Sequence, residues 1–338
     1  MRVVSYPEIF KNKLLKKYSE FIDEGLVAEG QYYNEEVSPF IENKKSVPVN
    51  SGGAAIFSLL AYQKFVLGKT HVIIQSNTMR ALYTIPKLLD MEVIICDSSD
   101  MPGFMALDKN KIKKLIVKLK EEDNNNKVVT IYSVIGGYLA PSYFEIEKIH
   151  KENNIPLIID MAHGHYLEDI IKTDYADLAF SFYATKILPA GEGGLISTKN
   201  DEVIEWTRRF LAYDRFKYEL QVGINLRTNE FTAYFIYLLT SDKNVKKYFK
   251  DRRVAIANLY RSICLENNIS FLDQNKAYDF NGYKFIVFDK YKDVEKKNTI
   301  LTKHQPTSPV FTVHVKTGFA LLPHWCPPTY PSLNEELK

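Results

Sequence analysis

From about residue 46 to 200 the chain alternates short apolar runs with longer stretches of helical periodicity. The apolar runs are Val47 to Asn50, His71 to Gln75, Glu92 to Asp97, Val128 to Ser133, Pro156 to Asp160, Leu178 to Tyr183 and Gly194 to Thr198. Several are apolar at consecutive positions, as strands covered on both faces of a parallel sheet are. Between them, Gly53 to Val66 and Tyr143 to Asn153 space their apolar residues as a helix does. Strand and helix in regular succession predict an α/β fold: a mostly parallel central sheet covered by helices. After about residue 245 the pattern changes. Tyr248 to Asn267 predicts one long helix, then short strands and turns run into the Pro-rich HWCPPTYPSL. This predicts a large domain over 1–245 and a smaller α/β domain over 246–338.

Three segments of this pattern carry chemistry. The first is Ser51-Gly52-Gly53-Ala54-Ala55, which follows the strand VPVN and opens a helix. Small residues at a helix N-terminus expose backbone N–H donors, and the helix dipole favours an anion, so the turn suits a phosphate. It also suits a plain strand-to-helix turn. Neither the dinucleotide fingerprint nor the P-loop spacing is present. The second is Asp160, ending the strand IPLIID. A carboxylate at the C-terminal end of a parallel strand faces the ligand crevice. It could bind a metal, orient a base or hold a protonated ring nitrogen. His163 and His165 follow closely, but a third metal ligand is lacking. The third is Lys186, after the strand LAFSFY and before Gly191-Glu192-Gly193-Gly194. A lysine at a strand end can lose its charge and act as a Schiff-base nucleophile, although most lysines are solvated loop residues. Together the three give a phosphate cradle, a partner for a pyridinium nitrogen and an amine for an aldehyde. Those are the handles that pyridoxal 5'-phosphate (PLP) requires.

Composition narrows the partners. The 338 residues are 46% hydrophobic and 25% charged, ordinary for a soluble globular protein with one large or two smaller domains. A net charge of +3 is too small to argue for nucleic acid or a membrane surface. The charged run from Lys113 to Glu122 reads as a solvated helix face. Cys96, Cys264 and Cys326 are far apart and odd in number, which suggests neither a disulfide framework nor a zinc site and fits a cytoplasmic location. No run reaches the roughly 18 apolar residues of a membrane span.

Five ordered segments make the chain resemble the DegT/DnrJ/EryC1/StrS sugar aminotransferases of PLP fold type I. VNSGGAAI resembles the family's N-S-G-T-x-A-L cradle, and QSNTMRAL its P-x-x-T-F-x-A-T segment. LIIDMAHGH resembles E-D-A-A-Q/H-x-H, and GINLRTNEFTAY resembles G-x-N-x-R-M-x-E-x-x-A. The most specific match is SFYATKILPAGEGGLIST, similar to S-F-x-x-T-K-x-x-x-x-G-E-G-G.

The resemblance implies roles residue by residue. Lys186 would form the Schiff base and shuttle a proton. Asp160 would pair with the pyridine nitrogen, and His163 would sit near the phenolic oxygen. Ser181 and the backbone at Gly52, Gly53 and Ala54 would hold the phosphate. Asn225 would reach the phosphate of a neighbouring subunit, implying a homodimer with shared active sites. The domain over 1–245 would be the PLP-binding one, with an N-terminal helical arm. Two departures stand out: Gly53 replaces the usual Thr, removing one hydroxyl, and Met79 stands where an aromatic usually stacks on the ring. His324 and CPPTYP are candidates for substrate contact or a packed tail.

The implied activity moves an amino group from glutamate or glutamine to a nucleotide-linked 3- or 4-keto-deoxy sugar, with pyridoxamine phosphate between the half-reactions. Alternatives are other PLP chemistry on this fold, such as sugar dehydration or a keto-inositol substrate, and a non-catalytic sugar-binding or regulatory protein. Related dehydratases carry His in place of the lysine, so Lys186 favours transamination.

Overall fold

Seven strands form one sheet in the order β1-β8-β7-β6-β4-β2-β3. They are β1 (Lys45–Val49), β2 (His71–Gln75), β3 (Glu92–Cys96), β4 (Val128–Ser133), β6 (Leu157–Asp160), β7 (Asp177–Ser181) and β8 (Gly194–Thr198); the short β5 (Tyr138–Leu139) lies outside the sheet. The computed structural model describes residues 6–36, 40–76, 78–97, 106–122, 124–268, 271–273, 279–288, 310–314 and 320–321. All seven runs expected as strands are strands of this sheet, with ends that shift by no more than two residues.

β3, β2, β4, β6 and β7 run parallel, and β8 is antiparallel to both β7 and β1. Alternate side chains of a strand point to opposite faces. Ile73, Tyr132, Leu157, Ile159, Phe180 and Leu195 enter one core, while Val72, Ile131, Ile158, Ala179 and Ile196 enter another. Both faces are therefore buried, which is why these strands read as unbroken apolar runs rather than alternating ones.

The helices are α1 (Glu8–Glu24), α2 (Gly52–Phe65), α3 (Ala81–Leu88), α4 (Lys109–Glu121), α5 (Tyr143–Glu152), α6 (Glu168–Ile171), α7 (Asp201–Leu211), α8 (Glu230–Ser241) and α9 (Lys243–Glu266). Helix α2 is buried over most of its circumference, from Ala54 through Gln63, as its apolar composition requires. Helix α1 docks through Phe10 and Phe21, both buried, and Tyr18 donates to the Phe231 carbonyl at 2.9 Å. Burying each phenyl ring stabilises the docked arm by about 1.5–3 kcal/mol. Helix α9 fills the stretch expected as one long helix and runs continuously across residue 245.

Beyond α9, β9 (Asp279–Phe280) pairs antiparallel with β5, setting Phe280 opposite Tyr138. The two rings stack with centroids 4.2 Å apart. Strands β10 (Lys284–Phe288), β11 (Val310–His314) and β12 (Ala320–Leu321) form a second, antiparallel sheet. Cys96 and Cys264 are buried thiols. Cys326, His324 and the CPPTYP segment lie outside the described residues. Among the described residues, no helix is long and apolar enough to cross a membrane.

Candidate active site

The carboxyl ends of the parallel strands bring together Gln75, Ser133, Asp160 and Ser181, the edge where open α/β sheets receive ligands. Ser133 and Asp160 are register partners on β4 and β6. The Gln75 side-chain oxygen accepts the Ser133 N–H at 3.1 Å, and the Thr78 and Ser133 hydroxyls bond at 2.7 Å. These bonds hold the strand ends in place beneath the site.

Lys186 sits in the turn after β7, with its N–H donating to the Tyr183 carbonyl at 2.8 Å. The turn is closed by Ala184 N–H to Gly191 O at 2.9 Å and by Ala190 N–H to Phe182 O at 2.7 Å. The side chain is half-buried. Desolvation brings its amine down to about 8, against the opposing pull of the Asp160 carboxylate. Burial in turn raises the Asp160 carboxyl, while the Ala162 N–H at 2.9 Å and the charge of Lys186 draw it back towards the ionised form. The two groups expected to hold the two ends of one aromatic cofactor thus sense each other electrostatically.

The cradle closes on Ser181. A β-carbon on Gly52 would lie 2.6 Å from the Ser181 β-carbon, so only glycine lets α2 begin that close to β7. The Ser51 hydroxyl accepts the Ala54 N–H at 3.1 Å and caps α2. That bond takes up the Ala54 donor expected to face a phosphate. Gly53 is open by contrast: a β-carbon there would meet nothing nearer than Ser51 Oγ at 3.7 Å and Ile85 at 4.0 Å.

His163 is buried, and its Nδ1 accepts the Gly136 N–H at 3.2 Å. An accepting Nδ1 places the proton of the neutral ring on Nε2. His165 has a different role: its Nε2 bonds the Ser181 carbonyl at 2.9 Å, and burial lowers it to about 4. It is a neutral strut under the cradle. Among the described residues, no cluster of three or more His, Cys, Asp or Glu could hold a metal.

Met79 and Asn225 are both exposed. Met79 is 59% exposed on the segment entering α3. Asn225 is exposed, and its side-chain oxygen accepts from the Arg227 N–H at 3.3 Å and Nε at 3.2 Å. Arg227 also pairs with Glu29, and the Leu226 carbonyl accepts the Asn50 N–H at 3.0 Å.

The structure adds residues that sequence reasoning missed. Tyr283, buried just ahead of β10, lies with its ring 4.7 Å from the His163 ring and 5.9 Å from the Lys186 amine. Asn281 donates to the His163 and His165 carbonyls at 2.7 and 2.8 Å and accepts the Tyr283 N–H at 3.0 Å. Gly137 receives this clamp with φ +86°, and a β-carbon there would overlap the Asn281 side chain. The sequence signal was NGYK: a glycine turn leading a polar Tyr-Lys pair into the apolar strand KFIVF.

The residues present fit PLP. There is an amine of lowered basicity, a carboxylate held by a backbone N–H, a histidine of fixed tautomer, and a glycine turn with open space at Gly53. The profile of the DegT/DnrJ/EryC1/StrS aminotransferase family matches residues 9–326. The spore coat polysaccharide biosynthesis protein SpsC of Bacillus subtilis is 27% identical over 210 residues, 60% of this chain and 51% of that protein. The UDP-4-amino-4,6-dideoxy-N-acetyl-beta-L-altrosamine transaminase of Campylobacter jejuni is 29% identical over 161 residues, 44% of this chain and 40% of that protein. The matched stretches thus span about half the length of these curated relatives or less. Among solved structures, S. venezuelae DesV in complex with a ketimine intermediate is 20% identical, with a TM-score of 0.70 over 97% of this chain and 87% of that one.

Proposed function

The chain belongs to the DegT/DnrJ/EryC1/StrS aminotransferase family, and on that premise we propose that it is a PLP-dependent aminotransferase acting on a nucleotide-linked keto-deoxy sugar, with glutamate or glutamine as donor. The observation that carries the reading is the Lys186 amine, brought down to about 8 beside the Asp160 carboxylate at the sheet's carboxyl edge.

Bound there, PLP supplies an electron sink for the pair left when a proton departs from the amine-bearing carbon. Lys186 Nζ is the group that takes and returns that proton; an amine poised near neutrality serves both directions. Asp160, oriented by the Ala162 N–H, holds the proton of the ring nitrogen. His163, with its proton on Nε2, donates towards the phenolic oxygen. Ser181 and the first turn of α2 hold the phosphate, and Gly53 leaves one corner of that cradle without a side chain. Exposed Asn225 is suited to reach a second copy of the chain, which makes a homodimer the working assembly.

The test is to load the purified protein with PLP and supply glutamate or glutamine with UDP- or dTDP-linked 4-keto-6-deoxy sugars and their 3-keto isomers. Transamination forms the 2-oxo acid in step with loss of the keto sugar. A sugar that loses water with no 2-oxo acid formed would point to dehydration and overturn the assignment.

A further inference from the structure

The amino edge of the sheet, opposite the edge that carries Asp160 and Ser181, holds a second concentration of charge. Strand β1 begins there at Lys45, facing Thr198 at the end of β8, and the Thr198 hydroxyl donates to Asp177 at the start of β7 at 2.5 Å. A cavity of about 690 Å³ opens at this edge, lined by Lys44, Lys45, Lys199 and Arg208 together with Glu35 and Asp201. Lys44 and Arg208 are its inner cations. Lys44 is buried, and its ammonium donates to the Thr173 carbonyl at 2.7 Å. The Arg208 guanidinium donates to the Tyr33 and Ser46 carbonyls, each at 3.0 Å. Those partners are neutral, and neither cation touches a carboxylate among the described residues. Asp177 offsets part of the Lys44 charge, and Glu35 part of the Arg208 charge, from beyond contact. Burial disfavours both charges, and Lys199 disfavours that of Lys44 further. The outer cations sit differently: Lys45 pairs with Asp201 at 2.8 Å and Lys199 pairs with Asp174, all four exposed. Exposed pairs hold their members weakly, so both ammonium groups are free to turn towards a ligand.

We propose that this cavity binds the diphosphate group of a small polar metabolite, at a site separate from the one around Lys186. Desolvated cations gathered around one space cost stability unless an anion joins them. Arg208 presents a planar fork of donors and the lysines present compact charges, and both kinds of group bind phosphate oxygens. Four cations against two carboxylates exceed what a single carboxylate ligand needs and suit the several charges of a diphosphate. Glu35 opposes an anion least of the acidic groups there. It accepts the Ser46 N–H at 2.5 Å, and burial raises its carboxyl towards the neutral form. The volume lies within the roughly 300–1,000 Å³ of small-molecule pockets and far exceeds a bare ion, so it leaves room for the body that carries the diphosphate. None of these residues handles PLP, so the site stands independently of the aminotransferase reading.

The test is calorimetric titration of the desalted, PLP-treated protein with inorganic pyrophosphate. The double variant Lys45→Met, Lys199→Met should weaken binding tenfold or more while the melting temperature holds, because exposed ion pairs contribute little to the fold. Asp201→Asn and Asp174→Asn should each tighten binding, since they release Lys45 and Lys199 from their partners. Lys113→Met with Lys114→Met removes the same charge from the exposed face of α4 and should leave affinity within twofold. Titration with UDP identifies the source of the diphosphate. At the sites lost in the Lys45, Lys199 variant, a nucleotide-borne diphosphate makes UDP bind tighter than pyrophosphate, whereas the free ion as natural ligand makes the two equal at best. Unchanged affinity in a folded Lys45→Met, Lys199→Met protein would overturn the proposal. So would an equal loss in the α4 variant, which would reduce the effect to overall charge, or no binding of either probe.

Discussion

Gly52 and Ser181 come from segments 129 residues apart, yet a β-carbon on the first would sit 2.6 Å from that of the second. The start of α2 and the end of β7 are pressed together there, and the proposed phosphate cradle is their shared edge. Gly52→Ala should force them apart, at a cost of about 1–3 kcal/mol for overpacking. Urea unfolding together with PLP titration would check this. Unchanged stability and PLP affinity would show that the approach has room to give.

The neighbouring position predicts the opposite sign. Gly53 has open space, so Gly53→Thr should be accommodated and should offer the phosphate a hydroxyl. A hydrogen bond to a charged group contributes about 1.5–3 kcal/mol, a gain of roughly tenfold or more in PLP affinity. Weaker PLP binding by a stable Gly53→Thr protein would remove the cradle from this corner.

Lys186 carries a pH signature. As the proposed Schiff-base former it reacts through its neutral amine, so in PLP-free protein the rate of PLP capture should rise with pH through about 8 rather than through its ordinary 10.5. Stability has a defined sign as well. The folded-state value lies below the unfolded one, so the protonated amine penalises folding below about pH 8, and the penalty fades as pH rises towards 10.5. PLP-free Lys186→Met should therefore melt higher than the parent at pH 7, with the gap closing in alkali. Lys186→Ala should lose the visible Schiff-base band and roughly 10²–10⁴-fold of turnover. A surviving band would move the attachment point elsewhere.

Asn281 predicts a structural effect at a distance. Asn281→Ala removes two bonds to the turn carrying His163 and one from Tyr283. It should destabilise the fold by about 2–4 kcal/mol, since carbonyls buried with Asn281 lose their donors. It should also slow turnover more than it weakens PLP, because Lys186, Asp160 and the cradle remain. Denaturant melts and steady-state kinetics read the two effects separately.

The large sheet was legible because both its faces are buried, which turns each strand into an unbroken apolar run bounded by polar punctuation. β2, β4 and β8 begin and end where those runs do. That Asp160 and Ser181 end strands and Lys186 follows one was legible for a related reason: each is a polar residue ending or following such a run. The inward capping of Ala54 by Ser51 was not, because a serine before a helix reads alike as a cap and as a phosphate ligand. Asn281 and Tyr283 were also missed. Their meeting with His163 depends on how the segment entering β10 returns to the sheet, and local periodicity carries no record of contacts between distant segments.

The Asn281 clamp joins His163 to a residue 118 positions later in the chain. During synthesis the seven strands and Lys186 all emerge well before Asn281 does. A nascent chain can therefore complete its sheet while the turn carrying His163 still lacks its clamp, and long-range closures of this kind form late. Turnover, more than retention of the cofactor, would then report that the C-terminal strands have been made and docked.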